Sequence, residues 1–112
     1  MKVRAVARDV GIPSRKVKLI VDMVRGKSID DALNVLKFVP SPAAEAVAKV
    51  IKSAVANAEN NYEMTPSELK IVEILANEGH TFKRYRSQAR GRVAPILKRS
   101  THITVSVSEE EK

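Results

Sequence analysis

From Lys83 to Arg99 the chain carries seven Lys and Arg and not one Asp or Glu, within an acid-free stretch that runs from Gly79 to Ser108. No hydrophobic core can absorb such a segment, because an unpaired buried charge is far costlier than the burial around it returns. Yet it is bounded by strand-like sequence. Leu69–Ala76 reads as a buried strand, and His102–Val107 (HITVSV) alternates, with Ile103, Val105 and Val107 to one side. Strands that flank such a segment read as the two arms of one antiparallel hairpin, spanning about 78–102 and turning near Ala89-Arg90-Gly91. Twelve residues from Glu78 to Arg90 at ~3.3 Å each reach roughly 40 Å. A compact domain of this length has a radius of gyration of about 13 Å, hence a diameter of about 35 Å. The hairpin must overhang the globule. A lone two-stranded ribbon is marginal in water, and this one repels itself, so its charge calls for a polyanionic partner.

The rest of the chain supplies one domain, residues 1–112, with 44% apolar residues for a single core. Two Phe, two Tyr and no Trp make that core aliphatic. Residues 2–8 (KVRAVAR) alternate as a half-buried strand, ended by a Gly11-Ile12-Pro13 turn. Ser14 is expected to cap a helix over about 15–25 with Val17, Ile20, Val21 and Val24 inward and Gly26 as its stop. Ser28 opens a second helix to about Phe38, with Ile29, Leu33 and Leu36 inward. Ser41-Pro42 opens a third, over about 42–60, whose stripe is Val47, Val50, Ile51, Ala54, Val55 and Ala58, and Asn60-Asn61 is expected to end it. Small residues let this helix approach a sheet closely, which makes it the central packing helix of an α+β fold.

Charge is segregated along the sequence. Residues 1–27 carry eight Lys/Arg against Asp9 and Asp22, and the acid-free segment adds seven more, while the remainder is net acidic. Two basic blocks around an acidic middle imply one polyanion-facing surface built from both ends of the chain. Arg15, Lys16 and Lys18 lie in the first turn of a helix, where the dipole disfavours cations, so an external anion explains their placement. Catalysis is not indicated: no GxxxxGK[ST], GxSxG or HExxH occurs, and Ser100-Thr101-His102 are adjacent on a strand and point to alternate faces. Without cysteine, and with His80 and His102 far from clustered carboxylates, neither a metal nor a cofactor is expected. No apolar leader and no run of transmembrane length is present, so a cytoplasmic protein with no membrane partner is expected. Neither a helix-turn-helix nor the aromatic pattern of an RNA-recognition sheet is present, and long basic extensions suit burial within folded RNA. A free-standing RNA-binding or antitermination-type regulator, and a module whose hairpin adds strands to a protein partner, remain open on these grounds.

Several stretches together resemble the L-twenty-two family of large-subunit ribosomal proteins: SRKVKLIVDMVRGKS (14–28), AKVIKSAVANAENN (48–61), NEG (77–79), KR (83–84), ARGR (89–92), ILKRSTHITV (96–105) and HITVSV (102–107). The resemblance spans nearly the whole chain in order. It implies three helices packed on a three-stranded antiparallel sheet with one long protruding hairpin, and a non-enzymatic structural role. It further implies binding and bridging of several domains of large-subunit (23S) rRNA during assembly, contact with neighbouring large-subunit ribosomal proteins, and a hairpin that lines the nascent-peptide exit tunnel. On this resemblance the tip that meets the nascent polypeptide is Gln88, Ala89, Arg90, Gly91, Arg92 and Val93. The RNA-binding residues would be Arg4, Arg8, Ser14, Arg15, Lys16, Lys18, Arg25, Lys27, Lys83, Arg84, Arg86, Arg90, Arg92, Lys98, Arg99, Thr101 and His102. The chain departs from the family pattern at Ser87 and Gln88, where proline and a basic residue are usual, at His80, where proline is common, and at Pro95 in the return arm.

Overall fold

Buried Val3 and Ala5 alternate with exposed Lys2, Arg4 and Val6, and this alternation forms β1 (Val3–Val10). The architecture comes from a computed structural model, which describes residues 2–87 and 93–109 and gives 82–87 and 93–98 as backbone. Three helices follow, α1 (Ser14–Val24), α2 (Ile29–Lys37) and α3 (Pro42–Tyr62), then a short 3-10 turn at Pro66–Glu68. The remaining strands are β2 (Leu69–Glu78), β3 (Phe82–Ser87), β4 (Val93–Lys98) and β5 (Thr101–Glu109). Helices on one antiparallel sheet make this the expected α+β fold.

Local rules account for two helix starts. The Ser28 hydroxyl accepts from the Asp31 N–H at 3.4 Å, and the Ser41 hydroxyl accepts from the Ala43 N–H at 3.2 Å. The expected cap at Ser14 is not formed. Pro13 is the N-cap, in extended conformation, and its carbonyl accepts from Lys16 and Val17, which leaves Ser14 as the first helical residue. Gly26, at φ +79°, follows α1 in the left-handed conformation that suits its stop. Asn60-Asn61 do not end α3 either. The helix continues to Tyr62, and Glu63 takes the left-handed turn at φ 53° while the Glu63 and Met64 N–H groups donate to the Ala58 carbonyl. Tertiary packing sets this end, because Met64 lies against the core.

The sheet runs β1-β5-β2, with both pairings antiparallel and β5 central. One face is covered: α3 lies on β1 and β5, α1 on β2, and α2 against α1 and α3. Between these layers sit Val17, Val21, Val24, Val47, Ile51, Ile71, Ile74, Ile103, Val105 and Val107, each almost fully excluded from water. At about 1.5–3 kcal/mol for each buried aliphatic side chain, this layer is the main stabilising term. Ala43, Ala44, Ala54 and Ala58 are buried on α3 and allow its close approach. Leu33 and Val55, expected inward, are half-buried.

The hairpin has the expected antiparallel arms, with an interruption at its root. β3 and β4 form their own two-stranded sheet, paired from Phe82↔Lys98 to Ser87↔Val93. The three-stranded ladder stops at Glu78↔Thr101, so four steps on the outgoing chain match three on the return. That one-residue mismatch is a bulge, which bends a ribbon. The molecule measures 66 × 27 × 17 Å with a radius of gyration of 17.1 Å, well above the roughly 13 Å of a compact chain of this length. Projection beyond the globule is therefore as expected, whereas the turn expected near Ala89-Arg90-Gly91 lies outside the described residues.

Candidate nucleic-acid interface

The fold brings together cations that are far apart in sequence. Pro13, Ser14 and Arg15 at the start of α1 line one cleft of about 390 Å³ with Arg99, which lies 84 positions beyond Arg15 at the hairpin's return. The cleft forms because β1 leads into α1 at the same end of the sheet where β5 begins. There the Thr101 hydroxyl donates to the Ile12 carbonyl at 2.6 Å and holds the two segments together. Both Arg15 and Arg99 are exposed. The first turn of α1 contains no acidic residue, and its cap contributes no side-chain hydrogen bond. A helix N-terminus and two guanidinium forks thus converge on one concave surface, which is chemistry suited to a phosphate.

The other sequence-nominated residues fall into distinct groups. Lys16 and Lys18 are exposed on α1 beside the cleft, and Lys27 is exposed after it, its carbonyl accepting from Ile71 N–H at 3.0 Å. Arg4 and Arg8 are exposed on β1, with Arg4 between buried Val3 and Ala5 and so on the sheet face the helices leave uncovered. Lys83, Arg84 and Arg86 lie on β3, and Val93 and Lys98 on β4. Gln88, Ala89, Arg90, Gly91 and Arg92 lie outside the described residues.

Three of the nominated residues are engaged within the protein. Arg25 pairs with Asp22 at 2.8 Å and donates to the Ile74 carbonyl at 3.2 Å, tying α1 to β2. Thr101 is 0% exposed, so its side chain is not on the surface the sequence reading assigned it to. His102 is half-buried, and its Nδ1 accepts from the Asp9 backbone N–H at 3.1 Å.

Sequence reasoning passed over Asp9 and Ser100. The β1–β5 register slips by one residue between Ala7 and Val10, and Asp9 occupies this bulge at φ 53°. Its Oδ1 accepts from the His80 N–H at 3.3 Å and lies 3.4 Å from the Ser100 hydroxyl oxygen. Ser100 is buried and its hydroxyl donates to the His80 carbonyl at 2.6 Å, while the Gly79 N–H donates to the Ser100 carbonyl at 2.9 Å. Two signals were legible: Asp9 is the single acid in the first twenty residues, and Gly79 is one of only two glycines after residue 26.

No helix among the described residues is long and apolar enough to cross a membrane, and none of their acidic or histidine side chains cluster in a group that could hold a metal ion. The model of the family described as ribosomal protein L22p/L17e matches residues 5–108. A protein of Dehalococcoides mccartyi named large ribosomal subunit protein uL22 is 57% identical over 109 residues, covering 97% of this chain and 100% of the relative. Proteins of the same name from Pediococcus pentosaceus and Latilactobacillus sakei are 50% and 49% identical, over 97% and 96% of this chain and 92% of each relative. With a family match over nearly its full length and relatives at this identity, the chain belongs to the ribosomal protein L22p/L17e family and is a structural ribosomal protein, not an enzyme.

Proposed function

We propose that the protein is a constituent of the large ribosomal subunit in the cytoplasm, where it binds and bridges large-subunit rRNA during assembly and lays its hairpin along the wall of the nascent-peptide exit tunnel. The observation that carries this reading is the cleft in which Arg15 and Arg99 meet at the foot of the projecting ribbon. A phosphate seated there would be held by two planar guanidiniums, which can each fork to two oxygens, and by the positive end of α1. Lys16, Lys18 and Lys27 extend the positive surface along one side. Arg4 and Arg8 extend it over the open sheet face. Lys83, Arg84, Arg86 and Lys98 carry it outward along the hairpin arms. A rigid globule and a ribbon bearing the same sign of charge can contact RNA segments tens of ångströms apart, which is what bridging requires. Lys and Arg neutralise phosphates that RNA folding would otherwise crowd together. The tip, Gln88 to Val93, would meet the nascent chain, and neighbouring large-subunit ribosomal proteins would flank the globule.

The test is binding of the purified chain to transcribed large-subunit RNA. Replacing Arg15 and Arg99 together with alanine is expected to weaken binding by about 10²-fold or more, since a charge-assisted hydrogen bond contributes roughly 1.5–3 kcal/mol. Replacing Lys49 and Lys52, exposed on α3 away from the cleft, should leave binding nearly unchanged. Equal losses from both pairs would show that charge alone, and not the cleft, determines recognition.

A further inference from the structure

We infer that Asp9 is a positioning residue: its carboxylate, with Ser100 and the glycine at position 79, latches the root of the hairpin and fixes the direction in which the ribbon leaves the globule. This rests on the reading of the ribbon as the part of the molecule that must reach a defined place.

A latch is needed because the backbone ladder does not carry across the root. Inter-strand pairing ends at Glu78↔Thr101 and resumes at Phe82↔Lys98, with unequal chain on the two sides. Within that gap a backbone bond runs from Gly79 N–H to the Ser100 carbonyl at 2.9 Å. Where strand pairing is interrupted, the direction of the ribbon depends on the side chains that tie its root to the globule. One of these side chains, Asp9, comes from β1, an element outside the hairpin, and the other, Ser100, from the return strand. The bulge in β1 puts Asp9 into the left-handed conformation, where Asp is tolerated, and turns its carboxylate onto the root. Oδ1 receives the His80 N–H from the outgoing strand and lies within reach of the Ser100 hydroxyl from the return strand, 3.3 and 3.4 Å away. Ser100 reaches across to the His80 carbonyl at 2.6 Å. Asp9 is held from behind, its own N–H donating to His102 Nδ1 at 3.1 Å. Next to the bulge, the buried Thr101 hydroxyl anchors the start of β5 to Ile12.

Gly79 completes the device. A Cβ there would fall 2.7 Å from Ser100 Oγ, 3.2 Å from Asp9 Oδ1 and 3.2 Å from His102 Cε1. The closest of these distances is one that real side chains do not reach, so any larger residue would push the latch open. Glycine is needed here for space, since its backbone conformation is not one that only glycine adopts.

The test uses the full chain, free in solution, with spin labels on cysteines introduced at positions 52 and 83; the natural sequence has none to interfere. The unaltered latch should give one narrow distance distribution. Asp9→Gly removes the carboxylate without straining the left-handed backbone, and should replace that peak with a broad distribution. Asp9→Asn keeps an acceptor oxygen and also tolerates this conformation, and should restore the narrow peak. Gly79→Ala and Ser100→Ala should broaden the distribution as Asp9→Gly does, and they serve if Asp9→Gly does not fold. A narrow peak retained in folded Asp9→Gly and in Ser100→Ala would overturn the latch, as would failure of Asp9→Asn to restore the peak. Because this measurement needs no ribosome, its failure is separate from failure of the tunnel reading. The latter would show instead as a broadened ribbon in a translation-arrest reporter that behaves as wild type.

Discussion

Thr101 separates a structural reading from an RNA-contact reading of the same residue. Family resemblance places it among the RNA-facing positions, whereas the structure buries it fully and has its hydroxyl donate to the Ile12 carbonyl at 2.6 Å. Thr101→Val keeps the β-branched shape and nearly the volume, so little cavity forms, and what is lost is the donor. A carbonyl left without its partner costs about 1–3 kcal/mol when buried, and the Ile12 carbonyl, part-buried, should fall toward the lower end. For a domain of this size that corresponds to a fall in Tm of about 4–15 °C. In urea the midpoint should move down by roughly 1 M with an unchanged slope, because the surface exposed on unfolding is the same. RNA affinity, measured well below the new Tm, should fall far less than in the Arg15 and Arg99 double replacement, because both guanidiniums remain. A variant with unaltered stability and a large loss of affinity would refute the structural assignment of Thr101.

Other expectations follow from the same geometry. Ile51 is 0% exposed between α3 and the sheet, so Ile51→Ala should cost about 2–5 kcal/mol in the same urea experiment, against less than about 0.5 kcal/mol for its exposed neighbour in Lys52→Ala. If about six phosphates are neutralised, affinity for large-subunit RNA should fall roughly 10³-fold between 50 and 200 mM salt; a flat response in a filter-binding titration would point to a protein partner. Deleting Ser87 to Val93 should leave the globule folded and incorporated into subunits on a gradient, while arrest by nascent peptides changes; loss of incorporation would show that the tip is needed for assembly.

Local chemistry was legible where one residue decides the outcome. Ser28 and Ser41-Pro42 fix the starts of α2 and α3 because a hydroxyl cap and a proline at the first turn act within a few residues. The alternation of Ile103, Val105 and Val107 fixed the inward face of β5, since a one-residue slip would expose all three. Where neighbours in space decide, the sequence was mute. Ser14 looked like a cap, but the Pro13 carbonyl takes that place. Asn60-Asn61 looked like an end, but Met64 packs on the core and draws the turn two residues later. The bulge at Asp9 interrupts an alternation that the sequence alone extends only to Arg8, and its carboxylate finds partners about 70 and 90 positions away. Of the candidate interface, the charge and its two sources were readable from composition. That Arg15 and Arg99 share one cleft, while Arg25 and Thr101 are committed internally, depends on the crossing of β1, α1 and β5 at one end of the sheet.

A density map of a large ribosomal subunit carrying this chain tests the central proposal most directly. The cleft of Pro13, Ser14, Arg15 and Arg99 should hold an RNA phosphate with both guanidiniums within hydrogen-bonding distance, and the β3–β4 ribbon should run along the wall of the exit tunnel. A map in which the cleft opens to solvent or to protein, with the ribbon lying on the outer surface of the subunit, would contradict it.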